Sequence, residues 1–421
     1  MKRGFHTIMA AQFFSSLADN ALFVAAVELL RSQHAATWQE AALVPMFALF
    51  YVLLAPWVGA FADSRPKGHV MFISNAIKIA GCLLMLAGVH PLLAYGLVGL
   101  GAAAYSPAKY GILTELLEPA QLVKANGWME GLTIASIILG VVLGGQLLQP
   151  EVFAALQAAP GVNVAADAAV ALIVLVYGVA AAFNVCIPRT GAPLHAMQWR
   201  AGAQLPDFFN CTCRLWRDRL GQISLATTTL FWGVSGNMRY VVLAWAAAAL
   251  HYDTTHAANL VGVVALGTAA GAVLASLHVR LDKATRVMPL GVAMGVLLMG
   301  MVLVRNVWLA LPLLLALGAL GGYIVVPMNA LLQHRGQCLM GAGRSIAVQN
   351  FNEQACILLL GALYSAATGG GLSAFAAITL MGALIAALML AIGAWHSYNL
   401  RFHRAELRRL LSIARRGHKK H

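Results

Sequence analysis

The sequence predicts an all-α integral membrane protein with twelve transmembrane helices in two six-helix, pseudo-symmetric halves. Three observations predict it. The first is composition. Of 421 residues, 60% are hydrophobic and only 10% charged, and the mean hydropathy is +0.76. A soluble globular chain is roughly 25% charged, so a water-soluble chain of this length could not cover its surface. A cytosolic enzyme, a disordered chain and a disulfide scaffold are excluded on the same ground. The second is the gathering of apolar residues into stretches near 20 residues long, about what one bilayer crossing needs. The third is a strict alternation of basic residues from one loop to the next.

The first stretch, residues 7–30, follows Met1-Lys2-Arg3 at once and carries Asp19 and Asn20. The core of a cleavable signal peptide is purely apolar, so this reads as a retained first helix. Stretches at 40–62, 69–89, 91–113, 124–148 and 165–187 complete an N-terminal bundle over residues 1–188. The polar segment 189–220 reads as a cytoplasmic linker. Stretches at 221–249, 257–278, 286–304, 307–330, 342–366 and 371–397 form a C-terminal bundle over 221–398. The basic tail, 399–421, can form a helix on the inner leaflet, bound to anionic lipid or to a partner. Cys82, Cys186, Cys211, Cys213, Cys338 and Cys356 follow no zinc spacing and read as apolar fillers or free thiols. No metal site is expected, and the scattered histidines form no ligand pair within a span.

Positive residues set the orientation. Of the 28 Lys and Arg, 23 lie at the termini, in the even-numbered loops and in the tail, among them Lys2, Arg3, Arg65, Lys67, Lys124, Arg189, Arg200, Arg280, Arg335, Arg344, Lys419 and Lys420. Only Arg31 and Arg305 lie on the other side, and Lys78, Lys109 and Arg239 fall inside spans. Both termini and the linker are therefore expected in the cytoplasm. The net charge of +13 needs no nucleic-acid partner.

The halves repeat weakly at an offset of about 220 residues. Ala104-Tyr105-Ser106-Pro107 recurs as Ile324-Val325-Val326-Pro327, and Lys124-Ala125-Asn126-Gly127 resembles Gly341-Ala342-Gly343-Arg344. A parallel six-plus-six repeat about an axis normal to the membrane is the major facilitator pattern. Between spans two and three the chain reads Gly59-Ala60-Phe61-Ala62-Asp63-Ser64-Arg65-Pro66-Lys67-Gly68-His69. It is similar to that superfamily's cytoplasmic loop signature, with Ser64 and Pro66 as departures. Gly59 allows close helix approach, Asp63 can accept from a neighbouring helix N-terminus, and Arg65 and Lys67 are suited to anionic headgroups. These four are expected to form a conformational switch loop.

Charges near the bilayer centre cost at least ~2.5–3.5 kcal/mol each on insertion scales, so they persist only when paired, solvated or useful. Asp19 and Arg239 lie mid-span in repeat-mate helices one and seven, beside Asn20 and Asn237. They read as an acid and a base across a central cavity, or as an ion pair locking the halves together. In Val348-Gln349-Asn350-Phe351-Asn352-Glu353-Gln354, Gln349, Asn352 and Glu353 share a helix face and read as cavity-lining. Lys109, just after Pro107, either faces the cavity or snorkels to the cytoplasmic edge. Glu28 reads as interfacial, Lys78 as a snorkelling residue, and Glu130 as near the inner end of helix five. Gly140 with Gly144, and Gly267 with Gly271, have the small-xxx-small spacing of close helix contacts.

Both signs in one cavity suit a zwitterion or an amphipathic anion. Carboxylates at Asp19 and Glu353 would hold an ammonium, and Arg239 a phosphate bidentately. Several stretches resemble the bacterial lysophospholipid transporters of the major facilitator superfamily. They are Gln12-Phe13-Phe14-Ser15-Ser16-Leu17-Ala18-Asp19-Asn20-Ala21-Leu22, Tyr105-Ser106-Pro107-Ala108-Lys109-Tyr110-Gly111, Lys124-Ala125-Asn126-Gly127, Phe231-Trp232-Gly233, Val325-Val326-Pro327-Met328-Asn329 and Val348-Gln349-Asn350. The family's central charges fall on Asp19, Lys109, Arg239 and Glu353. Loop 2–3, residues 188–220 and the neighbours Asn352 and Gln354 depart from its pattern.

The resemblance implies a monomeric transporter, not an enzyme, without cofactor. It would move lysophosphatidylethanolamine and related lysophospholipids across the bacterial inner membrane for reacylation by a separate cytoplasmic-face acyl-ACP synthetase/acyltransferase. The expected mechanism is uncoupled rocking of two halves around the headgroup, with the acyl chain left in membrane lipid. The rival readings are a drug/proton antiporter of the same superfamily and a membrane-embedded acyltransferase. The second lacks any nucleophile and base constellation.

Overall fold

The structure is a computed structural model that describes residues 3–158, 161–195, 197, 201–252 and 254–416. Among the described residues there are sixteen α-helices, one 3-10 turn and no strand. In hydrocarbon a backbone must satisfy its own N–H and C=O groups, and a helix does so within one segment. The helices are α1 (Arg3–Ser32), α2 (Thr37–Leu53), α3 (Ala55–Ser64), α4 (Lys67–Leu86), α5 (Pro91–Leu116), α6 (Pro119–Leu147), α7 (Pro150–Leu156) and α8 (Ala165–Val185). The chain continues through α9 (Ala201–Arg217), α10 (Gly221–Leu250), α11 (Thr254–His278), α12 (Pro289–Met301), α13 (Val307–Met340), α14 (Ala342–Gly369), α15 (Ala374–Phe402) and α16 (Arg404–Arg416).

Each predicted apolar stretch falls on a helix, except 40–62, which is broken. There α2 and α3 meet at Leu54 with a bend of 65°. Pro56 stands in the first turn of α3 and offers no N–H to continue α2. Among the described residues, eight helices are long and apolar enough to cross a membrane, or nine if the bent pair is one span. The long helices α5, α10 and α14 are too polar to be among them. They are the helices that carry Lys109, Arg239 and Glu353.

One segment and one helix boundary differ from expectation. The linker holds a helix, α9, whose more buried face, Gln204, Phe208, Cys211 and Leu215, recurs at helical spacing within an otherwise polar run. Leu215 is fully buried, whereas Leu205 and Phe209 are exposed. The last long helix runs on to Phe402, and the tail then forms α16, which buries Leu407. The basic residues Lys2, Arg200, Lys419 and Lys420, which helped set the expected orientation, lie outside the described residues.

The chain folds as two compact units. Unit one gathers Met1–Leu116, Leu132–Cys211 and Met340–Asn350. Its core is built by α1, α4, α5 and α8, with Leu22, Leu29, Met85, Val98, Ile173 and Tyr177 buried together. Helix α6 joins α1 along Gly140 and Gly144. A Cβ on Gly140 would lie 2.7 Å from the Leu17 carbonyl oxygen, and one on Gly144 2.8 Å from that of Ala21.

Unit two gathers Leu117–Gly131, Thr212–Leu339 and Phe351–His421. Gly267 and Gly271 of α11 lie on the backbone of Leu315 and Ala319, and Gly318 and Gly322 of α13 lie on that of Val264 and Thr268. This reciprocal seam brings two backbones together where lipid supplies no hydrophobic drive. Buried polar pairs add direction. Asn126 and Gln333 exchange two amide hydrogen bonds of 2.9 Å each. The Arg335 guanidinium grips Asp218 at 2.6 and 3.1 Å, and Asp218 in turn accepts from the Gly221 N–H at 2.7 Å at the start of α10.

Candidate functional site

Asp19 sits midway along α1, and its carboxylate is held from two sides. The Lys78 ammonium donates to Oδ2 at 2.8 Å, and the Tyr177 hydroxyl donates to Oδ1 at 2.6 Å. Lys78 also donates to Ser15 Oγ at 3.1 Å, and Ser15 donates to Asn75 Oδ1 at 2.8 Å. Ser15 and Asp19 are one turn apart on α1, and Asn75 and Lys78 one turn apart on α4, so the two helix faces meet as matched pairs. The rings of Tyr105 and Tyr177 stand 5.0 and 5.6 Å from the Lys78 ammonium. Gly101 clears the lysine stem, since a Cβ there would lie 2.7 Å from Lys78 Cγ.

This corrects the sequence reading of Lys78. It does not snorkel: its side chain is 1% exposed, and it is the ion-pair partner of Asp19, which is 21% exposed. Residue spacing gave no sign of the partnership. The signal was the charge itself, two turns inside an apolar helix. Asn20 turns back on its own helix and donates to the Ser16 carbonyl at 2.7 Å.

The loop after α3 makes a second cluster in unit one. Asp63 Oδ1 accepts from the Gly343 N–H at 2.7 Å and Oδ2 from the Arg344 N–H at 2.9 Å, at the first turn of α14. A carboxylate there meets the unsatisfied N–H groups and the positive end of the helix. Gly59 permits the contact, because a Cβ on it would lie 2.7 Å from Ala347 Cβ. Lys67 is 3% exposed and bonds Asp63 at 2.8 Å, Glu115 at 3.2 Å and the Ala62 carbonyl at 2.7 Å. Its ammonium is thus committed inside the protein and does not anchor the loop at headgroups, contrary to expectation. Arg65 is exposed and lies over the Phe61 ring at 5.5 Å. Lys109 is buried, with its ammonium 4.2 Å from the Tyr110 ring centroid. Gln349 is buried too, and its neighbour Asn350 donates to Ser106 Oγ at 2.9 Å.

In unit two, α10 lies against α14 through small and polar residues. Gly233 meets Cys356, Gly236 meets Ile357, and the Asn237 amide donates to the carbonyls of Gly233 at 2.8 Å and Ile357 at 2.9 Å. Arg239 follows this contact and is exposed, whereas Glu353 precedes it by one turn and is buried. Asn352 is half-buried beside Glu353.

Comparison with known proteins places this arrangement. The family model described as Major Facilitator Superfamily matches residues 8–353. The chain belongs to the Major Facilitator Superfamily. Among superfamily relatives, it is 42% identical over 366 residues to the protein named Lysophospholipid transporter LplT of Yersinia enterocolitica, covering 87% of each chain. It is 41% identical over 377 residues to the protein of the same name from Pectobacterium carotovorum, covering 89% of each. Superfamily structures share its fold at low identity. The human organic anion transporter MFSD10 gives a TM-score of 0.73 at 15% identity, covering 93% of this chain and all of that one. A bacterial homologue of the iron transporter ferroportin gives 0.72 at 16%, covering 94% and 100%.

Proposed function

We infer that this protein is a lysophospholipid transporter. The observation that carries the inference is 42% identity, over 87% of both chains, to a protein named for that activity. The protein is a multi-pass membrane protein and a transporter rather than an enzyme. Its membrane is the bacterial inner membrane, its twelve spans form two six-helix halves, and both termini are cytoplasmic, in keeping with the positive residues of the even-numbered loops.

The residue chemistry fits a zwitterionic headgroup. Lys78 and Tyr177 hold one position on each Asp19 oxygen, and a carboxylate offers about four lone-pair sites, so Asp19 keeps acceptor capacity for an ammonium. Because Lys78 offsets its charge, Asp19 receives that ammonium mainly as a preoriented acceptor. Glu353 is the second acceptor, with Asn20, Asn352 and Gln349 as neutral partners. The Arg239 fork takes the phosphate, assisted by Lys109. The acyl chain stays on apolar helix surface, since exposing it to water costs ~0.8 kcal/mol per CH₂. Gly59, Asp63, Arg65 and Lys67 form the switch, clasping and releasing the first turn of α14. Movement is toward the cytoplasmic leaflet, needs no ion gradient, and delivers substrate to a separate acyl-ACP synthetase/acyltransferase.

Uptake of labelled lysophosphatidylethanolamine by spheroplasts expressing the protein tests this reading. Uptake above the empty-vector level, unchanged by a protonophore, is expected. Efflux of cationic dyes without lysophospholipid uptake would favour a drug/proton antiporter instead.

A further inference from the structure

A cavity of about 170 Å³ opens in unit one where α4 begins and α8 ends. It is lined by Pro66, Lys67, Gly68 and His69 on one side and by Asn184, Ile187, Arg189 and Thr190 on the other. At about 30 Å³ per water, it has room for several waters or one phosphate group. Lys67 and Gly68, the first two residues of the 20-residue helix α4, line it; their N–H groups have no helical acceptor, whereas those of His69 and Val70 donate to the Pro66 carbonyl at 2.9 and 3.2 Å, and the positive end of the helix lies there. His69 and Arg189 line it and are exposed, and no carboxylate is among its lining residues. The Lys67 ammonium is held by Asp63 and Glu115, and Thr190 donates to Glu115 at 2.6 Å, so these two are already engaged.

Asn184 is the second, independent observation. It is 1% exposed, yet neither its amide oxygen nor its amide nitrogen has a hydrogen-bond partner. An unsatisfied buried amide costs roughly 1–3 kcal/mol, and here it lines a cavity that also holds a helix N-terminus and an arginine. A helix N-terminus with backbone donors is an anion site by construction, and an amide nitrogen and a guanidinium add donors of the same sense. Val185, 65% exposed, and Ile187 form an apolar rim on the α8 side.

We propose that this cavity binds a phosphate group, carried by a phospholipid headgroup or free in solution, through the α4 N-terminus, Asn184 and Arg189. This site is distinct from the residues assigned to the transported headgroup and does not depend on which substrate is carried.

The test uses the purified full-length protein in detergent, titrated with phosphatidylglycerol, with inorganic phosphate and with a phosphate-free monoacylglycerol, and followed by thermal unfolding midpoint and native mass spectrometry. Saturable stabilisation by phosphatidylglycerol alone identifies the lipid headgroup as the source. Stabilisation by phosphate as well identifies a free-anion site. In either case Arg189→Gln and Asn184→Leu each weaken the apparent affinity roughly tenfold or more, as expected for loss of a bond to a charged group. Asn184→Leu also raises the midpoint of the ligand-free protein, because it removes an orphaned amide at near-constant volume. Absence of saturable binding by either phosphate compound, an equal response to the phosphate-free lipid, or unchanged titration of both variants would overturn the proposal.

Discussion

Lys78 shows how a single side chain changes the electrostatic reading of this protein. An isolated Asp19 would be an uncompensated negative charge in an apolar helix. Paired at 2.8 Å with a lysine that is 1% exposed, it becomes a fixed, hydrogen-bonded acceptor. Removing one partner of a buried pair strands the other, at a cost of about 3 kcal/mol. Lys78→Met should therefore lower the unfolding midpoint sharply, and adding Asp19→Asn should recover most of the loss in a double-mutant cycle. Additive effects of the two changes would show that the pair is not coupled. Arg239 is the opposite case, exposed and on the surface of α10. Arg239→Lys should leave expression and midpoint unchanged yet reduce lysophospholipid uptake about tenfold, because an ammonium cannot reproduce the bidentate fork. Asp19 was legible in the sequence as a charge too expensive to be accidental. Its partner was not, because the match between α1 and α4 depends on Ser15, on Asn75, which is 60 residues further along the chain, and on the space over Gly101 of a third helix, α5.

At the scale of an element, α14 depends on its first turn. Asp63 satisfies the Gly343 and Arg344 N–H groups, and loss of such a cap costs about 1 kcal/mol. Asp63→Ala should speed amide hydrogen exchange at residues 343–345 roughly fivefold and leave the α11–α13 seam untouched, which peptide-resolved exchange can read. Unchanged exchange at those amides would remove Asp63 from this role. The apolar elements were legible from length and hydropathy, and so were the glycine seams, since Gly140 with Gly144 and Gly267 with Gly271 do lie on neighbouring backbones. Helix α9 was hidden because its more buried face, Gln204, Phe208, Cys211 and Leu215, mixes polar and apolar residues in a segment whose average reads as loop. The break at Leu54 was equally hidden within one apolar stretch, although Pro56 marks it.

For the whole molecule, orientation is the first consequence. Cys186 at the end of α8 and Cys338 near the end of α13 are both exposed, and both lie beside basic residues expected in the cytoplasm. A membrane-impermeant maleimide should label neither in intact spheroplasts and both in inside-out vesicles; labelling from outside would reverse the orientation. The central claim is that the polar side chains of α1, α5, α10 and α14 serve a single-chain phospholipid. It is tested most directly with the purified protein in liposomes, by following fluorescent lysophosphatidylethanolamine and its diacyl parent through albumin back-extraction. The account predicts that the lyso form becomes inaccessible to albumin at a protein-dependent rate, that the diacyl form does not, and that Arg239→Lys suppresses the difference. Lyso-lipid that remains fully extractable from the leaflet where it was added would contradict it.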